Sequence, residues 1–281
     1  MNQPSLFRRA VAAVLLSFAG MQAVFAAPTA TVPLQVSPQR ATSMAVWEPE
    51  NVRGVVLFSS GHGSWPERYD DLLQAWRDAG FVVVAPLHVD SVKHPDREKF
   101  SMQQGFGERL ADMKAASAYV AARWPGVPVA AAGHSYGTLV SLVLGGALAD
   151  LAPLRDPSVV AVVGYSSPGR IPGLVTPSAY ASVAVPVLLV TGDQDLVPGF
   201  VSDPRDHLYP VESAPEGGKY AVVLTGGDHN LIGGQPEALY RRARELGTAF
   251  LKAEVLDDAG AARVLSADAA GPADAERWIR R

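Results

Sequence analysis

The chain has 281 residues, of which 48% are hydrophobic and 19% are charged, so it carries enough apolar material for one large core or two modest ones. Its net charge of -4 speaks against a nucleic-acid binder, which needs a basic face to neutralise phosphates. The sequence contains no cysteine, which excludes a disulfide framework, a thiolate nucleophile and cysteine-ligated zinc. Any covalent catalysis must therefore use an oxygen or nitrogen nucleophile.

The N-terminus has the pattern of an export signal. Arg8 and Arg9 form a positively charged segment, residues 10–25 are uncharged and mostly apolar, and small residues before position 27 suit a signal peptidase. The apolar run is short for a transmembrane span. We predict a signal peptide over residues 1–26 and a mature protein that is periplasmic or secreted, with no stable membrane insertion.

From about residue 42 onward, apolar runs of strand length alternate with longer helical patterns. The predicted strands are residues 55–58, 81–85, 127–132, 159–164, 185–190 and 220–224, and the predicted helices are residues 69–79, 108–123, 139–148 and 236–252. Continuous apolar runs imply strands that are covered on both faces. The alternation predicts an α/β fold with a mostly parallel central sheet, helices on both faces and right-handed crossovers.

The same pattern predicts one α/β domain over residues 27–253, because no internal repeat or linker divides it. Residues 27–41 are expected to form an extended N-terminal lead, and residues 254–281 form an Ala/Asp-rich tail of undetermined order. The stretch of residues 165–184 after the fourth strand is rich in proline and glycine and leaves little room for a helix. We therefore expect no large cap domain.

The most informative segment is a serine between two glycines. The pentapeptide Gly133-His134-Ser135-Tyr136-Gly137 follows an apolar strand, and an apolar helical pattern begins at once. Such a turn lifts the Ser135 hydroxyl above the carboxyl edge of the sheet. Gly133 and Gly137 lack side chains where two backbones must pass closely, and strain of about 1–3 kcal/mol at the serine is tolerated because both flanking elements hold it. The pattern predicts a nucleophilic serine.

A nucleophilic serine needs a base, and the base needs an acid that orients it. Both residue types follow later strands: Gly192-Asp193-Gln194-Asp195 comes after one strand and Gly227-Asp228-His229 after the next. The order Ser135, Asp195, His229 is the order expected for a serine on this type of turn. Asp195 lies further past the strand end, and Asp193 is better placed to hold the turn, but Asp193 stays the alternative acid.

Together these segments resemble the α/β-hydrolases, and within them the dienelactone hydrolase and platelet-activating-factor acetylhydrolase-like group. The resemblance covers most of residues 42–252 and includes the run Val55-Val56-Leu57-Phe58-Ser59-Ser60-Gly61-His62-Gly63. It implies the α/β-hydrolase fold and a cofactor-free serine hydrolase that acts on esters. Many esterases, lipases, thioesterases and perhydrolases share the serine motif, so the fold transfers more securely than the substrate.

The resemblance also implies an oxyanion hole. In similar proteins one backbone N–H comes from the residue after the first glycine of the loop, here His62, and the second comes from the residue after the nucleophile, here Tyr136. Each donor would stabilise a tetrahedral intermediate by about 2.7–4 kcal/mol. Ser60 stands where such loops usually carry histidine, which leaves Gly63 as the alternative to His62.

Other histidines have simpler interpretations. His88, Asp90 and His94 are residue types that bind zinc, but they follow a strand and more simply form a polar loop beside the cleft, so we expect no metal site. His88 and Trp65 are then possible substrate-lining residues. His207 lies in a Pro/Asp-rich segment where the sequence indicates no partner.

The predicted chemistry is acyl transfer from a small-molecule ester through a covalent serine intermediate, with no metal or organic cofactor. No nucleic-acid partner is expected, and the oligomeric state is undetermined. Two other classes stay open. One is a different serine acyl-transfer activity on the same residues, such as a thioesterase, polyester depolymerase or perhydrolase. The other is a non-catalytic binding protein with a hydrolase fold.

Overall fold

The structure is a computed structural model that describes residues 28–234, 236–270 and 275–281. The predicted signal peptide, residues 1–26, lies outside the described residues. In the part of the chain that is described, no helix is both long enough and apolar enough to span a bilayer.

Over the described residues, nine strands and six α-helices make up the fold. The strands are β1 Ala30–Ser37, β2 Arg40–Trp47, β3 Gly54–Ser59, β4 Phe81–Pro86, β5 Val129–His134, β6 Val159–Tyr165, β7 Val187–Gly192, β8 Lys219–Leu224 and β9 Glu276–Arg280. The helices are α1 Asp70–Asp78, α2 Met102–Arg123, α3 Tyr136–Leu144, α4 Tyr209–Ser213, α5 Glu237–Val255 and α6 Ala259–Ala270. Short 3₁₀ turns cover Pro66–Tyr69, Arg97–Lys99, Pro204–Leu208 and Leu231–Gly233.

All nine strands belong to one sheet in the order β1-β2-β4-β3-β5-β6-β7-β8-β9. Strands β3 to β8 run parallel to one another, whereas β2 and β9 pair antiparallel with β4 and β8. Parallel strands end at one edge of the sheet, so the loops after β3, β5, β7 and β8 come together there. The predicted mostly parallel sheet is confirmed.

The core forms one layer on each face of this sheet. On one face, α1 and α5 bury Trp76 and Phe250 against inward-facing strand residues. On the other face, α2 and α3 bury Met113, Leu139 and Val143. Strands β3, β4 and β5 are buried along their whole length, which explains why their apolar runs do not alternate. Helices therefore cover both faces, as the alternation predicted.

Both ends of the described chain extend the sheet. The expected N-terminal lead becomes β1, which pairs with β2 in a hairpin. Strand β2 was not predicted, although Met44 and Trp47 along it pack into opposite core layers. In the tail, β9 adds an antiparallel edge strand to β8. The tail of undetermined order is thus built into the fold over its described residues.

The connection from β6 to β7, residues 166–186, contains turns and bends but no helix. A cap domain in this fold type would need helices in such a connection, and none is present in this fully described stretch. The sheet edge that carries the Ser135 turn is consequently not covered by a helical cap from this connection.

Candidate active site

Ser135 occupies a strained turn between β5 and α3. Its backbone has φ 53° and ψ −119°, and residues other than glycine rarely adopt a positive φ. A Cβ added at Gly137 would lie 1.9 Å from the carbonyl oxygen of Ser59, and one added at Gly133 would lie 2.3 Å from the carbonyl oxygen of Gly137. Only glycine fits at either position. The close backbone approach holds the Ser135 turn in place.

The structure brings Ser135, His229 and Asp195 into one hydrogen-bonded chain. His229 Nε2 lies 3.0 Å from Ser135 Oγ, and His229 Nδ1 lies 2.8 Å from Asp195 Oδ1. The His229 side chain is 21% exposed, while Asp195 is fully buried. With Nδ1–H donated to the carboxylate, Nε2 is left to accept the serine proton. The geometry allows proton transfer from Ser135 to His229.

Asp195 is held as a carboxylate by several donors. Thr191 Oγ1 donates to its Oδ2 at 2.7 Å, and His207 Nε2 lies 3.0 Å from its Oδ1. Burial alone would raise the pKa of Asp195, but hydrogen bonds from His207 and His229 outweigh it and hold that pKa well below the usual range. The acid is therefore ionised across the physiological pH range.

Asp193 has a different role in the same loop. Its Oδ1 accepts the Gly226 N–H at 2.7 Å, and its side chain is exposed to solvent. This hydrogen bond joins the loop after β7 to the loop after β8, which carries His229. The structure therefore places Asp193 as a support between two loops and places Asp195 against the histidine.

His134 fixes the position of the His229 backbone. Its Nε2 lies 2.9 Å from the His229 carbonyl oxygen, and its Nδ1 lies 3.0 Å from the Tyr69 hydroxyl. Burial lowers the pKa of His134 to about 3, so the ring is neutral. A neutral ring donates from Nε2 and accepts the Tyr69 O–H at Nδ1. The Tyr69 oxygen in turn accepts the Gly61 N–H at 3.1 Å.

The loop after β3 lies against the serine, since a Cβ at Gly61 would be 3.6 Å from Ser135 Cβ. Gly63, the alternative oxyanion donor, gives its N–H to Asp90 Oδ2 at 3.1 Å. Among the described residues, the His62 N–H has no backbone acceptor. Tyr136 begins α3, where the first N–H groups lack a partner within the helix. Among the described residues, the His62 and Tyr136 N–H groups are thus not taken up by another loop or turn backbone group.

The expectation that His88 lines the substrate cleft is wrong. His88 is fully buried, with Nε2 2.9 Å from Ser59 Oγ and Nδ1 2.8 Å from Asp112 Oδ2. Both ring nitrogens are therefore occupied inside the protein. Ser59, His88 and Asp112 repeat the residue types of the hydrogen-bonded chain at Ser135, but Ser59 is 0% exposed whereas Ser135 is partly exposed. No substrate can reach this second serine.

The residues considered for zinc do not converge on one point. Asp90 pairs with Arg109, and His94 Nδ1 accepts the Asp96 N–H. Trp65, the other possible lining residue, is partly exposed and lies under the Lys93 ammonium, 4.6 Å from the ring centroid.

In the part of the chain that is described, one cluster of histidine and acidic side chains has potential ligand atoms close enough to one another to bind a metal ion. The cluster consists of Asp195, His207 and His229. These ligand atoms already hydrogen-bond to one another, to Ser135 and to backbone oxygens. The group therefore fits a proton-transfer site.

The sequence alone indicated no role for His207, Thr191 or Arg109. His207 lies 12 positions from Asp195, which it contacts, and Arg109 lies 50 positions from Ser59, which it contacts. Thr191 follows the apolar part of β7, where a threonine reads as an ordinary strand residue. No local motif marks any of these three positions.

Comparisons with known proteins match this architecture. A model of the family described as "Serine aminopeptidase, S33" matches residues 50–168, which is less than half of the chain. A monkeypox virus protein named "Monoglyceride lipase homolog" is 27% identical over 166 residues. That match spans 56% of this chain and 59% of the viral protein.

Solved structures agree over a larger part of the chain. A dienelactone hydrolase from Anabaena variabilis aligns with a TM-score of 0.61 and 21% identity, covering 80% of this chain and 97% of the other. A soluble variant of monoglyceride lipase from Saccharomyces cerevisiae aligns with a TM-score of 0.63 and 14% identity, covering 81% and 96%. Dienelactone hydrolases are one of several groups among these neighbours. The chain therefore has the α/β-hydrolase fold.

Proposed function

We propose that this protein is a serine hydrolase that cleaves carboxylic esters. The observation that carries the proposal is the hydrogen-bonded chain from Ser135 through His229 to Asp195, with Ser135 Oγ and His229 Nε2 3.0 Å apart. A serine hydroxyl is a weak nucleophile until a neighbouring base takes its proton. The buried, ionised Asp195 selects the tautomer of His229 that can do so.

The proposed reaction proceeds in two stages. Ser135 Oγ attacks the ester carbonyl while its proton passes to His229 Nε2; the C–O bond to the alcohol then breaks, and His229 gives that proton to the departing alkoxide. A water molecule next attacks the acyl-serine, again losing its proton to His229. Collapse of the second tetrahedral intermediate returns the proton to Ser135 and releases the acid.

The proposed oxyanion hole consists of the His62 and Tyr136 N–H groups. Both are backbone donors beside Ser135, and they do not lose their alignment when charge develops on the carbonyl oxygen. Gly63 is a poorer candidate because its N–H already donates to the Asp90 carboxylate.

The comparisons support ester cleavage through the names of similar proteins, which include a monoglyceride lipase homologue and a dienelactone hydrolase. The matched family is described by a peptidase activity, so an amide substrate belongs in any test. We further propose, on the N-terminal pattern alone, that the protein is exported. N-terminal sequencing of the full-length chain after expression should then begin at Ala27, and an unprocessed chain in the cytoplasm would refute export.

The deciding experiment compares the wild type with Ser135→Ala on p-nitrophenyl esters, thioesters and anilides. We expect ester turnover, a loss of kcat by a factor of about 10⁴–10⁶ in the variant, and an unchanged thermal transition. A fluorophosphonate should label Ser135 in the wild type, as located by peptide mass. Ser266→Ala, on the exposed face of α6, is the matched control and should behave as wild type.

Three outcomes would change the assignment. A Ser135→Ala protein that still turns over esters and still labels would remove Ser135 as the nucleophile. Clear preference for thioesters or anilides would move the protein to another acyl-transfer class. A wild type that neither labels nor turns over any of these substrates would indicate a binding protein with a hydrolase fold.

A further inference from the structure

Arg109 is a buried cation behind the candidate active site. It lies on α2, and its side chain is 0% exposed. A buried guanidinium is tolerated only when its charge is paired and its donors are used. Arg109 Nε lies 2.7 Å from Asp90 Oδ1, and Nη2 lies 2.8 Å from Asp90 Oδ2. This two-bond fork pairs the charge and fixes the plane of the guanidinium.

The remaining donors of Arg109 hold the backbone of the loop after β3. Nη1 donates to the Ser60 carbonyl oxygen at 2.6 Å, and Nη2 donates to the Gly61 carbonyl oxygen at 3.0 Å. Two successive peptide planes are thus fixed from one side. Both carbonyls belong to buried residues.

Fixing a carbonyl also fixes the N–H of the same peptide. In a trans peptide the C=O and N–H point in opposite directions. The Ser60 carbonyl faces Arg109, so the Gly61 N–H points away from it and reaches Tyr69. The Gly61 carbonyl also faces Arg109, so the His62 N–H points away from the guanidinium. The loop lies against Ser135 at Gly61, where an added Cβ would be 3.6 Å from Ser135 Cβ, so the His62 N–H belongs to the part of the loop that is next to the nucleophile.

Asp90 holds the same loop by accepting hydrogen bonds from the loop's N–H groups. It accepts the Gly63 N–H at 3.1 Å, and His62 Nδ1 lies 2.9 Å from its Oδ2. Burial would raise the pKa of Asp90, but hydrogen bonds from His62 and Arg109 lower it far more, so the carboxylate stays ionised. The ion pair therefore binds carbonyl groups through Arg109 and N–H groups through Asp90.

Arg109 also contacts Tyr136, the residue proposed to supply the second N–H of the oxyanion hole. Its guanidinium carbon lies 4.9 Å from the centroid of the Tyr136 ring, in the geometry of a cation–π contact. One side chain on α2 thus touches the loop that contains His62 and the residue that follows Ser135. These two segments are separated by about seventy positions in the sequence, and nothing local sets their spacing.

We propose that Arg109, held by Asp90, is a positioning residue that sets the His62 N–H for the oxyanion. This rests on the proposed function, because the oxyanion exists only if Ser135 attacks a carbonyl or phosphoryl group. A preset donor stabilises the transition state without reorganising as charge develops. Arg109 touches no substrate, so its removal should lower kcat and leave KM nearly unchanged.

The test uses Arg109→Lys and Arg109→Met in the full chain, with Arg242→Lys as the matched control. Arg242 also forks onto carboxylates, Glu276 and Asp268, but lies among α5, α6 and β9. Lysine retains a charge opposite Asp90 yet cannot hold the carboxylate and both carbonyls at once. We expect kcat to fall about 10-fold to 100-fold in Arg109→Lys and more in Arg109→Met, with KM within about threefold.

A second readout needs no ester turnover. The phosphoryl oxygen of a fluorophosphonate enters the same oxyanion hole, so the second-order labelling rate of Ser135 should fall by a similar factor. If the wild type labels but cleaves no ester, the proposed function fails while Arg109 is still tested. Binding of a trifluoromethyl ketone, whose adduct carries the oxyanion, should weaken in parallel with kcat.

Two results would overturn the proposal. One is a folded Arg109→Lys protein with wild-type kcat and labelling rate. The other is a variant in which only KM rises, which would assign Arg109 to substrate binding. If neither Arg109 variant shows a thermal transition, Asp90→Asn becomes the deciding variant, because an amide has a single acceptor oxygen and no charge, so the fork that orients Arg109 on the two carbonyls is lost. Unchanged kcat and labelling in folded Asp90→Asn would then refute the positioning role.

Discussion

His207 Nε2 lies 3.0 Å from Asp195 Oδ1, the carboxylate oxygen that also faces His229. The other ring nitrogen of His207, Nδ1, faces the Ser167 carbonyl oxygen. Both nitrogens therefore face acceptors, and only the imidazolium can donate to both. Burial lowers the pKa of His207, but the hydrogen bond and charge of Asp195 outweigh this and raise it above its ordinary value.

We expect His207→Gln to change two pH dependences. The variant lacks the cation beside Asp195, so the carboxylate stabilises the protonated form of His229 more strongly. The acid limb of the kcat/KM profile should therefore move to higher pH. Because the folded pKa of His207 is raised, its stabilisation is full below the ordinary value near 6.5 and is lost as pH rises through the raised value. The stability gap between wild type and variant should therefore shrink at alkaline pH.

Denaturant unfolding at several pH values and a pH–rate profile measure these two effects. The glutamine in His207→Gln keeps one N–H donor, its side-chain amide, that can reach Asp195. A variant with the wild-type acid limb, and a stability gap that does not depend on pH, would show that His207 is neutral.

Asp195→Asn should lower kcat far more than Asp193→Asn. Asparagine at 195 removes the charge that stabilises protonated His229 and favours the wrong tautomer, which costs a factor of about 10⁴ in the analogous change of a Ser-His-Asp triad. Asparagine at 193 keeps an oxygen that can accept the Gly226 N–H, so we expect a loss below about tenfold. Steady-state kinetics on a soluble acetate ester measure both. Equal losses, or the reverse order, would make Asp193 the acid.

Two glycine substitutions should have opposite effects on stability. Gly137→Ala places a Cβ 1.9 Å from the Ser59 carbonyl oxygen, so the variant should lose its cooperative folding or its activity. Gly107→Ala, on the exposed side of α2 with no heavy atom within 4 Å, should raise the free energy of unfolding by about 0.5–1 kcal/mol. Thermal and urea unfolding compare the two. An active, stable Gly137→Ala protein would show that the β5–α3 turn differs from the one described.

Short-chain esters should be the better substrates. The β6–β7 connection contains no helix, so it provides no amphipathic lid for an oil interface. We expect higher kcat/KM for acetyl and butyryl esters than for palmitoyl esters, and a smooth rate curve through the concentration at which substrate aggregates. Rates measured on both sides of that concentration test this. Preferential cleavage of emulsified long-chain esters would contradict it.

Several features follow from the sequence because they depend on neighbouring residues. The Gly133–Gly137 turn needs small residues at fixed offsets, and continuous apolar runs are required of strands covered on both faces. Together they predicted the α/β fold and pointed to Ser135 at the sheet edge. The order of acid and histidine after later strands then indicated Asp195 and His229.

Other features depend on contacts between distant segments, and only the tertiary structure decided them. Strand β9 carries few apolar residues, and its pairing with β8 comes from backbone hydrogen bonds that leave no residue pattern. His88 resembles a polar loop residue in the sequence, but α2 brings Asp112 against it and buries it. Arg109 looks like any helical arginine until folding encloses it with Asp90 and two carbonyls. A buried polar group must find partners wherever the chain provides them, so its role is set by three-dimensional proximity.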